Sequence, residues 1–192
     1  MERTASQSRK TAETDIQLSI DLSQRVGSTI DTELPFFNHM LTSMAFHGGF
    51  LLNVTARGDI DVDPHHLVED TGLVLGDAFA EILCGGGLTR FADAMVPMDD
   101  ALAEAVIDAG GRPYLVYVAD FPQTHAGTFD LSLVREFFYA FAVRARCNVH
   151  LHARYGENGH HMVEAMFKAF GIALGKAFSP RGDDAMSTKG VV

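Results

Sequence analysis

The sequence predicts an α/β (α+β) chain made of two duplicated half-domains, and three observations carry that expectation. The stretch His65-His66-Leu67-Val68-Glu69 returns as His160-His161-Met162-Val163-Glu164. The order helix, strand, His-His-x-x-Glu helix occurs twice. Ala56-Arg57 falls on Ala153-Arg154 at a shift of 97 residues and the His pairs coincide at 95, a difference that one loop two residues shorter accounts for.

Each element has a local reason. From Thr14 onward Ile16, Leu18, Ile20 and Leu22 alternate with Asp15, Gln17, Ser19 and Asp21, the period-two pattern of a half-buried strand. Gly27 marks a turn, and residues 28–32 return as a second strand. Pro35 opens a helix over 36–46 that stops at Gly48-Gly49, and 50–57 alternates again. Pro64 starts the first motif helix, which runs to about residue 83 before Gly85-Gly86-Gly87. The middle reads as strands over 91–96, 101–108 and 114–119, punctuated by Gly110-Gly111 and Pro113. A helix over 131–146, a strand over 149–155 and a second motif helix over 160–178 then repeat the earlier order. Phe137, Phe138, Phe141, Phe167 and Phe170 follow helical spacing and belong to the core. The expected division is a flexible arm over 1–10, half-domains over 11–90 and 91–180, and a tail over 181–192 that needs a partner surface to become ordered.

The 192 residues suffice for one domain or two fused halves, and 47% apolar content places the chain among well-packed globular proteins. A net charge of −10 argues against nonspecific binding to nucleic acid or an anionic membrane. Apolar runs are too short to span a bilayer, and residues 1–10 lack the apolar stretch of a secretory signal. Cys84 and Cys147 have no close spacing, so no disulfide framework is implied. A cytoplasmic location is the default expectation.

The repeated motif carries the chemistry. At a helix start the first His and the Glu are four residues apart and share a face, while the second His is turned by about 100°. One turn thereby offers ligands in two directions. Imidazole and carboxylate together suit divalent first-row metals, and the absence of thiolate argues against a closed structural zinc site. A single His pair is as readily a solvated helix face; two copies with matching Glu argue against chance. At the shift of 97, His39 falls on Glu136, both of them competent ligands. The inventory is therefore His39, His65, His66 and Glu69 from one half and Glu136, His160, His161 and Glu164 from the other, which divides into two four-ligand sites.

The segments Phe37-Asn38-His39-Met40-Leu41, Asp63-Pro64-His65-His66-Leu67-Val68-Glu69-Asp70, Val96-Pro97-Met98-Asp99-Asp100-Ala101-Leu102, Gly111-Arg112-Pro113-Tyr114 and Ser187-Thr188-Lys189-Gly190 resemble the imidazoleglycerol-phosphate dehydratase family. The similarity runs from about Thr11 to the C-terminus. It implies dehydration of imidazole glycerol phosphate to imidazole acetol phosphate in histidine biosynthesis, with bound Mn²⁺, two ions per active site. It also implies duplicated half-domains, each a sheet with helices on one face, similar to ribosomal protein S5 domain 2. The implied assembly is a homo-oligomer of 24 subunits with active sites between neighbours.

By the same resemblance Glu13 is the acid–base residue, although an exposed strand-edge Glu is the reading that spacing alone favours. Arg90 and Arg112 match phosphate-side arginines, Ser187 and Lys189 lie in a C-terminal phosphate loop, and His47 aligns with a substrate-contacting position. A helix-terminal His interacting with the dipole is the competing account of His47. Asp99 can orient a ligand His or a substrate hydroxyl, or serve only a turn. The chain departs from the pattern at Glu136, where many relatives have His; pairing with Arg135 or Arg144 on a helix surface is the alternative to ligation. Two other classes stay open: a dinuclear metal hydrolase using the same ligands, and a metal-storing cage. Ferritin-like cages are four-helix bundles with Glu-x-x-His order, whereas this chain alternates like sheet over several segments.

Overall fold

The structure is a computed structural model and describes residues 3–182. The first half contains β1 (Thr4–Lys10), β2 (Thr14–Asp21), β3 (Thr29–Asp31), α1 (Pro35–Gly48), β4 (Leu51–Gly58) and α2 (His65–Cys84). The second contains β5 (Phe91–Met98), β6 (Ala101–Asp108), β7 (Tyr114–Val118), α3 (Leu133–Ala145), β10 (Asn148–Tyr155) and α4 (Gly159–Ala177). Between β7 and α3 a small hairpin, β8 (His125–Ala126) and β9 (Phe129–Asp130), has no counterpart in the first half.

The two sheets repeat one topology. Their orders are β1-β2-β4-β3 and β5-β6-β10-β7, with antiparallel pairs throughout except the parallel β3–β4 and β7–β10. In β2 the residues Ile16, Leu18 and Ile20 point into the core, and in β6 Ala101, Ala103, Ala105 and Ile107 do the same. Only one face of each sheet is buried within the chain, and the helices cover it: α2 lies across the first sheet and α4 across the second. The helices of the two halves then pack on each other, α1 on α4 and α2 on α3. Phe79, Phe137, Phe138, Phe141, Phe167, Phe170 and Phe178 fill that interior, with Phe137 stacked on Phe167 at 5.4 Å.

Glycine sets the helix crossings. A Cβ at Gly171 of α4 would lie 2.2 Å from the Met44 carbonyl oxygen of α1, and one at Gly76 of α2 would lie 2.8 Å from that of Phe141 on α3. These are equivalent contacts in the two halves, so the duplication extends to backbone touching backbone.

The expected flexible arm over residues 1–10 is corrected here, because Thr4–Lys10 is the edge strand β1, paired along its length with β2. Its inward side chains are mostly polar: Gln7 donates to Glu81 at 2.7 Å and Arg9 pairs with Asp70 at 2.8 Å, both on α2. Without an apolar alternation, that strand leaves no periodic signal. His125 lies in β8.

Candidate metal centre and active site

Both motif helices start the same way. Asp63 Oδ1 accepts the His65 backbone N–H at 2.8 Å, and Asn158 Oδ1 accepts that of His160 at 2.9 Å. Each first His thus sits in the first turn, with the Glu four residues later beside it.

His39 of α1 meets His160 and Glu164 of α4 in a group whose ligand atoms all lie within 4.8 Å of one another, the one such group of three among the described residues. His39 Nε2 and His160 Nε2 lie 3.3 and 3.2 Å from the same oxygen, Glu164 Oε2. Donors bound at about 2.1 Å sit roughly 3.0 Å apart at right angles and 3.4 Å apart in a tetrahedron. Both nitrogen-to-oxygen spacings match those values, and the two nitrogens lie within 4.8 Å of each other, so the group could hold one divalent ion. The edge of Phe36 packs on the His160 ring at 5.1 Å, beside a cleft of about 330 Å³ lined by Leu34, Phe129 and Gly127. Glu164 is buried, which raises its carboxyl pKa, but the Lys168 ammonium at 2.8 Å and the His39 ring outweigh burial and hold it below the ordinary value. Lys168 is a residue that motif reasoning missed; its signal is the i,i+4 spacing from Glu164.

This grouping corrects the division of ligands by half. His39 does not join His65, His66 and Glu69 of its own half but crosses to the α4 motif, because α1 packs on α4. Glu136 occupies on α3 the place that His39 has on α1, and α3 packs on α2, which carries His65 and Glu69. His65 Nε2 lies 3.7 Å from Glu69 Oε2, while Glu136 Oε1 accepts from Arg135 at 3.2 Å. Those three residues do not form a tight cluster.

The second His of each pair points elsewhere. His66 Nδ1 lies 3.1 Å from Asp59 Oδ2 and 3.9 Å from Glu13 Oε2, and His161 Nδ1 lies 2.5 Å from Asp100 Oδ1. These hydrogen bonds raise the pKa of both rings above the ordinary imidazole value, and the His161 partner holds the Asp100 carboxyl far below the carboxylate range. Asp99 has φ 47° at the tip of the β5–β6 hairpin and its Oδ2 is 3.7 Å from His161 Nε2, so the turn position and a place near the ring coincide. Glu13 occupies the matching β1–β2 hairpin. That hairpin is fastened by Thr11 Oγ1, which accepts the N–H groups of Glu13 and Thr14, and by Thr14, whose hydroxyl donates to the buried Asp70 at 2.5 Å.

The anion-side residues lie apart from this cluster. Arg90 donates to Asp108 at 2.7 Å and exposed Arg112 approaches the same carboxylate at 4.0 Å, so the two arginines gather at one end of the second sheet. Arg90 N–H bonds the Ala177 carbonyl at 2.8 Å, and from Glu164 to Ala177 the helix α4 rises about 20 Å. His47, in the last turn of α1, has its pKa lowered by burial and then by the Lys168 charge. It opens on a cavity of about 590 Å³ lined also by Arg3, Arg25 and Lys176. Ser187 and Lys189 lie outside the described residues. His150 and His152 stand on the less buried side of β10.

A duplicated α/β scaffold that brings two imidazoles and a carboxylate together across its halves defines the class: a metal-dependent enzyme. Comparison with known proteins narrows it. The family model for imidazoleglycerol-phosphate dehydratase matches residues 32–174. The imidazoleglycerol-phosphate dehydratase of Trichlorobacter lovleyi is 49% identical over 195 residues, covering 100% of both chains. The crystal structure of the Staphylococcus aureus imidazoleglycerol-phosphate dehydratase superposes with a TM-score of 0.84 at 39% identity, covering 92% of this chain and 99% of that one. That of IGPD from Pyrococcus furiosus gives 0.85 at 38% identity, covering 96% and 99%. The chain belongs to the imidazoleglycerol-phosphate dehydratase family and is a hydro-lyase of histidine biosynthesis. No helix among the described residues is long and apolar enough to cross a membrane.

Proposed function

We propose that the chain dehydrates imidazole glycerol phosphate to imidazole acetol phosphate with two Mn²⁺ ions per active site, in a 24-subunit assembly whose active sites lie between copies. The observation that supports it best is the His39–His160–Glu164 cluster, formed across the duplicated halves. Bound metal supplies Lewis acidity, which stabilises negative charge on the imidazole ring of the substrate. Glu164, and Glu136 in place of a further imidazole, tilt the donor set toward harder ions such as Mn²⁺. The second ion is assigned to His65, Glu69 and Glu136, whose helices α2 and α3 pack as α4 and α1 do, and this duplication supports the assignment.

The residues of the chain divide the remaining work. Glu13 is the base that takes the proton from the side-chain carbon, and its half-exposed carboxylate on the fastened β1–β2 hairpin leaves room for substrate. Arg90, Arg112, Ser187 and Lys189 hold phosphate, and His47 and Asp99 contact the rest of the substrate. The Arg90 backbone meets α4 at Ala177, about 20 Å along that helix from Glu164, farther than a small phosphate ester reaches. That separation supports an active site whose donors and arginines come from different copies.

The test is formation of imidazole acetol phosphate by metal-stripped protein before and after Mn²⁺ is restored. Activity is lost and then recovered, whereas full turnover without metal overturns the proposal. Glu13→Gln retains Mn²⁺ and substrate binding and loses about 100-fold or more in kcat; near-normal turnover removes Glu13 from the mechanism.

A further inference from the structure

Two rings that resemble each other in every other respect are tied down by aspartates of different origin. His66 and His161 are equivalent positions of the two motif helices, and each has its Nδ1 on a carboxylate of its own chain. Asp59, which holds His66, lies in the loop between β4 and α2; its position after β10 is taken by Gly156. Asp100, which holds His161, lies in the β5–β6 hairpin; its position between β1 and β2 is taken by Glu13, 3.9 Å from His66. The second half cannot use the loop position, because a Cβ at residue 156 would lie 2.4 Å from Met162 Cγ and 3.0 Å from Ala101 Cβ. The same contact has been reached by two routes.

A carboxylate is acceptor-only, so a neutral imidazole bonded to it through Nδ1 carries its proton there and leaves the Nε2 lone pair open. The Asp100 carboxylate is itself fixed, since its other oxygen accepts the N–H groups of Glu157 at 2.5 Å and Asn158 at 3.0 Å. The Asp59 side chain is given only to His66 among the described residues. We propose that Asp59 and Asp100 are positioning residues that fix His66 and His161 as Nδ1–H tautomers and dedicate both Nε2 atoms to metal. His39 and His160 also direct Nε2 toward Glu164, so these four imidazoles then offer the same atom. An orienting acceptor of this kind sets ring direction and raises ligand basicity.

The inference rests on the metal reading above, and the experiment separates the two. Solid-state ¹⁵N NMR of the histidine-labelled, metal-free protein reads the tautomers at a pH where the rings are neutral, and calorimetric titration with Mn²⁺ alone reads affinity. In the wild type both rings carry the proton on Nδ1; Asp59→Asn changes the His66 signal alone and Asp100→Asn that of His161 alone. Each substitution weakens Mn²⁺ binding about 10- to 100-fold, and Asp59→Glu, which keeps an acceptor-only carboxylate, loses far less than Asp59→Asn. Asp59→Asn is the cleaner variant, because Asp100 also supports the start of α4. Nε2–H tautomers in the wild type, or Mn²⁺ affinities within about threefold of wild type in both Asn variants, overturn the proposal. A wild type that binds no Mn²⁺ overturns the metal reading instead, and the tautomer spectra then decide the role of the aspartates.

Discussion

Glu164 receives Lys168 on one carboxylate oxygen and two imidazole nitrogens on the other, so its replacement separates two contributions. Glu164→Gln should abolish tight Mn²⁺ binding at the His39–His160 group while leaving the half-buried Lys168 without its counter-charge. Loss of such a partner costs about 1–3 kcal/mol, read as a lower denaturation midpoint of the metal-free protein; an unchanged midpoint would mean that Lys168 is satisfied elsewhere. The His66–Asp59 pair gives a pH signature. The Asp59 hydrogen bond raises the folded-state pKa of His66 above its ordinary value, against desolvation and with help from the Glu13 charge. Stability from a raised pKa is fully present below the unfolded value near 6.5 and is lost as pH rises through the folded one. In metal-free protein the Tm gap between wild type and Asp59→Asn should be widest near pH 5.5 and narrow toward pH 9. A gap that widened with pH would contradict the direction of the shift.

Helix pairing decides which ligands meet, and here the sequence told only part of the story. The motif helices, their starts and the second half's strands 101–108 and 149–155 were legible because hydrophobic period and Pro or Gly punctuation are local signals. The partner of His39 was not, since nothing near residue 39 records that α1 crosses to α4. The polar edge strand β1 was invisible for a related reason: Gln7 and Arg9 answer to Glu81 and Asp70, residues more than 60 positions away. The crossing itself can be tested at Gly171. Adding a methyl there places Cβ 2.2 Å from the Met44 carbonyl oxygen, too close for backbone to accept. Gly171→Ala should cost about 1–3 kcal/mol of stability and weaken Mn²⁺ binding, because α1 must move and take His39 with it. Equal melting temperatures in wild type and Gly171→Ala would show that the crossing is soft.

Over the molecule as a whole, the His39–His160–Glu164 group joins one half to the other, so an ion bound there favours the docked arrangement of both. Mn²⁺ at 100 times its Kd should stabilise the folded chain by about 2.7 kcal/mol, visible as a Tm that climbs with Mn²⁺ and falls back with chelator. A Tm indifferent to Mn²⁺ would separate ion binding from folding. The glycine contacts add a longer-term consequence. Where main chain rests on main chain, at Gly171 against Met44 and Gly76 against Phe141, the bite between donors is set by peptide groups common to every sequence. Lineages can therefore exchange the phenylalanines and methionines of the interior, one generation after another, without retuning the jaws that hold the ion.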